Sequence, residues 1–250
     1  MFSYNSGKFN LRMLDHNNPN ELKEIQKLRY QYLLRDFNPE LPIEGIDNDG
    51  HDATSDSVIV EDMENHLIVG TYRLSTKETV GNNRFISEDE FNISEMKKGD
   101  FEILELGRAV VHGDYRTGAV INLLWAGIFE YIRIKNCKYI FGTCSLHGVD
   151  PSVHNMTLAY LNKNLIFQDY NILSTHNSFS YPSYQDIDNY SDDEAYNQLP
   201  ALLKAYIKFG VKVSTNGYID YDFNSCDCMT IINVDEINPK MVNFYKRHLK

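Results

Sequence analysis

The sequence predicts an α/β chain with a mixed sheet and one long core, and three observations carry that reading. Two β-branched runs, 57–60 and 67–74, flank a short polar link at 61–66 and form a hairpin. A third apolar run, 101–111, gives way abruptly to a helical period in Val120, Leu123, Leu124, Gly127, Ile128 and Tyr131. A further strand and helix, 138–144 and 150–164, continue the alternation of an α/β architecture.

Each element has a local cause. Leu22, Ile25, Leu28 and Tyr32 place a helix over 20–34, with Pro19 or Asn20 at its start, and the Asp36-Phe37-Asn38-Pro39 run stops it. From 39 to 56 the chain is acidic and rich in turn residues, a long loop of the kind that carries function. Short helix and loop are expected over 87–98. Asp150 and Pro151 supply an N-cap and a first-turn proline for the helix that follows. Beyond it the sequence predicts a Tyr-, Ser- and Asp-rich loop over 177–196, a helix over 199–209, a short strand at 212–213 and a last strand over 228–234.

Composition narrows the function classes. With 250 residues, 42% hydrophobic and 24% charged, the chain has the make-up of a globular protein with one large domain or two small ones, not a disordered one. Its net charge of −11 offers no broad footprint for nucleic acid or an anionic membrane. The four cysteines, 137, 144, 226 and 228, are too few and irregular for a disulfide framework, and Cys226-x-Cys228 lacks a second ligand pair for a metal. Reduced thiols in a cytoplasmic protein are expected, with no metal. No targeting segment is visible at the start, and the most apolar stretch, 118–129, is about half the roughly 20 residues that span a bilayer.

The informative stretch is 105–125. A strand runs into a short turn bearing Arg116, Thr117, Gly118 and Ala119, and the turn opens into the amphipathic helix. Free N–H groups and the helix dipole make such a turn an anion site, to which Arg116 adds a full charge. The Gly-x-x-x-x-Gly-Lys phosphate loop and the Gly-x-Gly-x-x-Gly fingerprint are absent, so kinase and nicotinamide readings lose most of their weight. No Gly-x-Ser-x-Gly elbow is present, so a Ser-His-Asp nucleophile has no support in the sequence.

Seven motifs are spread along the chain: Leu28-Arg29-Tyr30; Asp47-x-Asp49-x-x-Asp52; Val69-Gly70-Thr71-Tyr72-Arg73-Leu74; Glu105-Leu106-Gly107-Arg108; Leu123-Leu124-Trp125-x-Gly127-Ile128; Gly142-x-x-Ser145-x-x-Gly148-x-Asp150-Pro151; and Leu199-Pro200-Ala201-Leu202-Leu203-Lys204-x-Tyr206. Together they resemble one branch of the GNAT acyltransferases, that of the ornithine-lipid and long-chain N-acyl amino acid synthases, related to acyl-homoserine-lactone synthases. The resemblance implies a mostly antiparallel central sheet flanked by helices, in a single domain with a core over about 1–176 and an integral extension over 177–250 that closes a binding tunnel. It also implies transfer of a fatty acyl group from acyl carrier protein, or from CoA, to an amino-acid amine, with no bound cofactor. The single glycine of the turn, Gly118, departs from the general GNAT pattern and is consistent with a carrier-protein donor. Transient membrane contact is compatible with an amphiphilic product.

Site assignments follow from that chemistry. An α-ammonium titrates at about 7.7–8.0, so attack on a thioester needs a base near neutral pH. Glu105 is the candidate, directly or through water; the other reading is a buried carboxylate paired with Arg108 or Arg73. Strand alternation puts Glu105 and Arg108 on opposite faces, and a bulge at Gly107 would return both to one face. Arg73 or Arg108 suits an acceptor carboxylate, and Asp49 and Asp52, with Asp47, suit an ammonium unless they cap their own loop. Arg29 reads as a substrate-site arginine or as a solvated helix residue.

Backbone near Val110 or Val111 is expected to hold the oxyanion, and Val110, Val111 and the 116–119 turn to hold the phosphopantetheine arm. Ser145, placed just after its strand, reads as a proton donor to the leaving thiolate or as a turn residue. His112 and His147 read as solvated loop histidines or proton shuttles. Arg116, Arg133, Lys135, Lys138 and Lys163 are the candidate basic patch for an acidic carrier protein. Three other readings stay open: a non-catalytic lipid or acyl-ACP binder, a homoserine-lactone-like synthase using S-adenosylmethionine, and a short-chain acetyltransferase.

Overall fold

The computed structural model describes residues 2–247 and 249. In chain order the strands are β1 (Ser3–Ser6), β2 (Phe9–Met13), β3 (Asp56–Asp62), β4 (Leu67–Thr76), β5 (Phe91–Asn92), β6 (Glu102–Val111), β7 (Cys137–His147), β8 (Leu173–Ser174), β9 (Ser178–Ser180), β10 (Lys212–Val213), β11 (Asn216–Asp220) and β12 (Ser225–Asn233). The α-helices are α1 (Pro19–Arg29), α2 (Arg35–Phe37), α3 (Lys77–Val80), α4 (Ser94–Lys97), α5 (Ala119–Lys135), α6 (Asn155–Asn164), α7 (Asp192–Gln198), α8 (Ala201–Ile207) and α9 (Pro239–Lys246). The chain divides into two compact units, one of residues 1–83, 104–137 and 238–250, the other of 84–103 and 138–237.

In the first unit, β1, β2, β3, β4 and β6 form an antiparallel sheet in that order. Tyr72 is buried on the face that meets α5, edge-on to Trp125 at 6.2 Å. Gly127 lets α5 close on that face: a Cβ there would lie 2.6 Å from Val58 Cγ2 and 3.0 Å from a Leu11 methyl. The C-terminal α9 packs on α5, with Tyr245 against Trp125 and Phe129. The opposite face receives α1, whose Ile25 and Leu28 join Ile59, Ile68 and Val110 in a buried cluster. Asn18, one residue before the expected start, caps α1 by accepting the Asn20 and Glu21 N–H groups. The helix does not run uniformly to Leu34, because Tyr30–Leu34 is a π-turn.

In the second unit, β12 pairs antiparallel with β7, β11 and β10, and β11 pairs with β9. A separate small ribbon joins β5 and β8. Asp150 caps a 3₁₀ turn, Pro151–His154, that leads into α6, so the expected start signal is there but the first turn is tighter than α. The stretch read as a loop over 177–196 holds β9 and most of α7. No described helix is long and apolar enough to cross a membrane.

Candidate active site

The long acidic loop folds back onto the α1 face of the first unit and delivers three aspartates to three arginines. Arg29, 1% exposed, grips Asp52 with both terminal nitrogens: Nη1 donates to Oδ1 and Nη2 to Oδ2, each at 2.7 Å. The same Nη2 donates to the Asp47 carbonyl at 2.7 Å, and Gln26 Nε2 donates to Asp52 Oδ2 at 2.9 Å. Arg29 is therefore not a solvated helix residue. Its planar fork matches the carboxylate, the geometry for which arginine is suited.

Arg73, on β4, donates through Nη1 to Asp49 Oδ1 at 2.7 Å. Arg108, on β6, donates through Nε to Asp47 Oδ2 at 2.9 Å and reaches Asp49 Oδ2 through Nη2 at 2.9 Å. Asp49 is thus clamped between two strands. Burial pushes Asp49 up, yet the hydrogen bond and charge of Arg73, with the charge of Arg108, hold it well below the usual carboxylate range. Burial likewise opposes ionisation of Asp52, and Arg29 with Gln26 lowers it below its ordinary value. Three aspartates and three arginines leave the network formally neutral, and the Asp47, Asp49 and Asp52 carboxylates expected to meet a substrate ammonium are each paired with arginine in this structure.

The strand β6 explains how Arg108 reaches this face. Thr71 pairs with Val110 and Arg73 with Gly107, so two residues of β6, Arg108 and Ala109, oppose Tyr72 alone. Arg108 has φ +52°, the left-handed region, and the bulge lies just past Gly107. The extra residue undoes the alternation. Glu105, 3% exposed, pairs with Ser75 while Gly107 pairs with Arg73. Glu105 and Arg73 consequently share one face, a cross-strand diagonal apart. Arg73 Nη2 is buried with no hydrogen-bond acceptor among the described residues.

The turn between β6 and α5 is built as the sequence indicates. Gly118, at φ +93°, precedes Ala119 at the start of α5 and needs no Cβ there. Val110 is buried and Val111 half-buried. Arg116 is half exposed and tied to the end of the first helix: it donates to the Tyr32 carbonyl and Asp36, each at 3.2 Å, and to the Val111 carbonyl at 3.2 Å. Thr117 closes the turn by donating its N–H to the Tyr115 carbonyl at 2.8 Å. His112 is not a solvated loop histidine; its Nε2 lies 2.9 Å from the Tyr32 hydroxyl, and its Nδ1 accepts the Asp114 N–H at 3.3 Å.

Ser145 lies inside β7, not after it, directly across from Asp227 on β12. Cys226 and Cys228 are buried, and burial pushes the Cys226 thiol up to about 11 and Cys228 higher still, as inert structural thiols behave. The expected basic patch is largely engaged: Arg133 pairs with Glu130, Lys135 with Glu78 and Lys163 with Asp192, while Lys138 lies over the Phe101 and Tyr139 rings. Gln26 completes the network, and no motif of the sequence marks it as a site residue. Gln26 stands three residues before Arg29 on one helix face, a spacing that signals a shared partner.

The mixed α/β fold, with its largely antiparallel sheet flanked by helices, is that of the GNAT enzymes, and residues 28–126 match the family described as acetyltransferase (GNAT) domain. Almost the whole chain is similar to proteins named L-ornithine N(alpha)-acyltransferase. It is 27% identical over 241 residues to the one from Agrobacterium fabrum, covering 91% of this chain and 82% of that protein. It is 25% identical over 242 residues to the one from Rhodobacter capsulatus, covering 92% of each. Among solved structures, the CoA-dependent acyl-homoserine lactone synthase BjaI, with SAM and isopentyl-CoA, matches with a TM-score of 0.52 at 12% identity, over 99% of this chain and 90% of that one. At that identity the likeness is one of fold.

Proposed function

We propose that the protein is an N-acyltransferase that moves a long fatty acyl group from the thioester of acyl carrier protein to the amine of an amino acid, with ornithine as the first acceptor to test. The observation that carries this reading is the juxtaposition of Glu105 with a buried guanidinium edge, Arg73 Nη2, that has no acceptor. An acceptor carboxylate would fill the Arg73 edge, supplying the hydrogen bonds a buried donor requires. Its amine would then lie toward Glu105. Glu105 takes the ammonium proton directly or through a water, the amine attacks the thioester carbon, and the C–S bond breaks as the second amine proton passes to the departing phosphopantetheine thiolate, leaving the amide and the free carrier-protein thiol.

The phosphopantetheine arm would run along Val110 and Val111 to the Thr117-Gly118-Ala119 turn where α5 begins, beside Arg116. The names of the relatives support ornithine as acceptor; the neutral arginine network supports recognition through the carboxylate end more than through a second ammonium. Acyl-CoA is the alternative donor.

The test is to incubate the protein with palmitoyl-ACP, palmitoyl-CoA or acetyl-CoA and the twenty amino acids plus ornithine, and to read new amides by mass spectrometry. N-palmitoyl ornithine formed from the ACP thioester is expected. Acetylated products alone, or no amide with any donor, would end the proposal.

A further inference from the structure

A second group of titratable side chains lies within the other unit and plays no part in the reaction above. Glu90 precedes β5, Asp220 ends β11 and Asp227 lies in β12, and one oxygen of each lies within 4.8 Å of the others. Asp227 occupies a strand that is buried from Ser225 to Ile232, where an ionised carboxylate is costly unless something compensates it. Neither Asp220 nor Asp227 has an ion-pair partner among the described residues. Burial pushes the Asp227 carboxyl up to about 6, against the hydrogen bonds of Ser145 and Ser225.

One orphaned oxygen marks the spot: Asp227, 2% exposed, has no hydrogen-bond partner for Oδ1. The Ser145 and fully buried Ser225 hydroxyls and Glu90 stand within hydrogen-bonding reach of the same carboxyl group. Ser225 precedes Asp227 by two positions and so shares its face of the strand, while Ser145 stands opposite Asp227 on the neighbouring strand. The Asp222 and Phe223 N–H groups donate to Asp220 Oδ1 at 2.9 and 2.8 Å, which fixes that carboxylate and leaves its other oxygen available. Glu90 is held from its backbone, the Thr175 N–H donating to its carbonyl at 2.7 Å. Cys226 and Cys228 alternate to the opposite face, so no thiolate enters and the donors are all oxygen.

We propose that Glu90, Asp220 and Asp227, with the Ser225 hydroxyl, form a binding site for a hard divalent cation, calcium in preference to zinc or magnesium. Oxygen-only donors exclude a zinc preference, since zinc favours nitrogen and sulfur. Calcium ligands at about 2.3–2.6 Å from the ion stand as much as roughly 5 Å apart across it, and calcium tolerates the irregular geometry that strand and loop positions impose. Magnesium demands a tighter octahedron. The ion ties the end of β11 to β12 and to the segment before β5, acting on stability and not on the acyl transfer itself.

The experiment uses the full chain stripped with EDTA and titrated with calcium chloride by calorimetry, alongside thermal unfolding with calcium, magnesium or zinc. Saturable binding of one calcium and a rise in Tm that EDTA reverses are expected, with affinity falling at least about tenfold in Asp220→Asn, as a lost charged ligand implies. Binding should vanish in Asp227→Asn. Should that variant fail to fold, the partly exposed Asp220→Asn carries the comparison. Absence of calcium binding up to about 10 mM, beyond the range of weak extracellular sites, would overturn the proposal. So would equal binding by wild type and Asp220→Asn, or a Tm raised by Asp227→Asn with no calcium response in either protein, which would identify a proton shared between carboxyl groups.

Discussion

Arg108 Nε lies 2.9 Å from Asp47 Oδ2 across 61 positions of sequence, and the contact exists because Arg108 adopts a left-handed backbone. A non-glycine residue there stores roughly 1–2 kcal/mol of strain, which the ion pairs with Asp47 and Asp49 offset. Replacing Arg108 by glycine or alanine removes the ion pairs in both cases, but only alanine keeps the strain. Arg108→Gly is therefore expected to be more stable than Arg108→Ala by about 1 kcal/mol in urea unfolding, while both lose most acyl transfer. Equal stability of the two would refute the strain argument.

The Arg29 and Asp52 side chains are 1% and 6% exposed and bind bidentately. Removing one partner leaves a buried charge uncompensated, so Asp52→Asn is expected to cost about 3–5 kcal/mol. Arg29→Met combined with Asp52→Leu should cost less than the two single changes added together, because neither charge is then left alone. A double-mutant cycle measures this directly, and simple additivity would count against the pairing.

Asp49 and Asp52 also set an acid limit. Their folded pKa values are depressed, whereas an aspartate in the unfolded chain titrates near 3.9. As pH falls through about 4, the unfolded state takes up protons that the folded state refuses, so stability present above that pH is lost toward lower pH. Tm measured from neutral to about pH 3 should fall less steeply for Asp49→Asn than for wild type. Parallel slopes would place the acid sensitivity elsewhere.

Glu105→Gln keeps the shape of the side chain and removes the proposed base. Turnover is expected to fall by about 10²–10⁴, the range for loss of general base catalysis, with donor affinity nearly unchanged. An equal loss in turnover and donor affinity, or no loss, would reduce Glu105 to a structural partner.

Arg116 is the half-exposed cation at the proposed phosphopantetheine turn, and Asp36 already takes part of its charge. Arg116→Glu should raise KM for acyl-ACP severalfold and flatten its salt dependence, with little effect on KM for ornithine. Unchanged salt dependence would separate the carrier protein from this turn.

Much of the first unit is legible in the sequence because its signals are local. The β-branched runs of β3 and β4 and the 3.6 period of α5 need no partner to be seen. The strands β1 and β9 escape because Ser3–Ser6 and Ser178–Ser180 are short and largely polar, and only pairing makes them strands. At the site, the motif Asp47-x-Asp49-x-x-Asp52 marks the loop, yet nothing local says that Asp49 meets Arg73, 24 positions away, rather than a substrate amine. The left-handed turn at Arg108 is invisible for a related reason: glycine or asparagine would announce it, and arginine does not.

The π-turn at Tyr30–Leu34 amounts to one residue threaded into an otherwise regular helix. Each residue advances an α-helix by about 100°, so excising one here would swing everything after it a quarter-turn and more around the axis. Arg29, upstream, would keep its grip on Asp52, but Tyr32 would leave His112 and Asp36 would leave Arg116. A one-codon deletion would thereby uncouple the two ends of the helix, sparing the buried arginine anchor while releasing the turn that precedes α5.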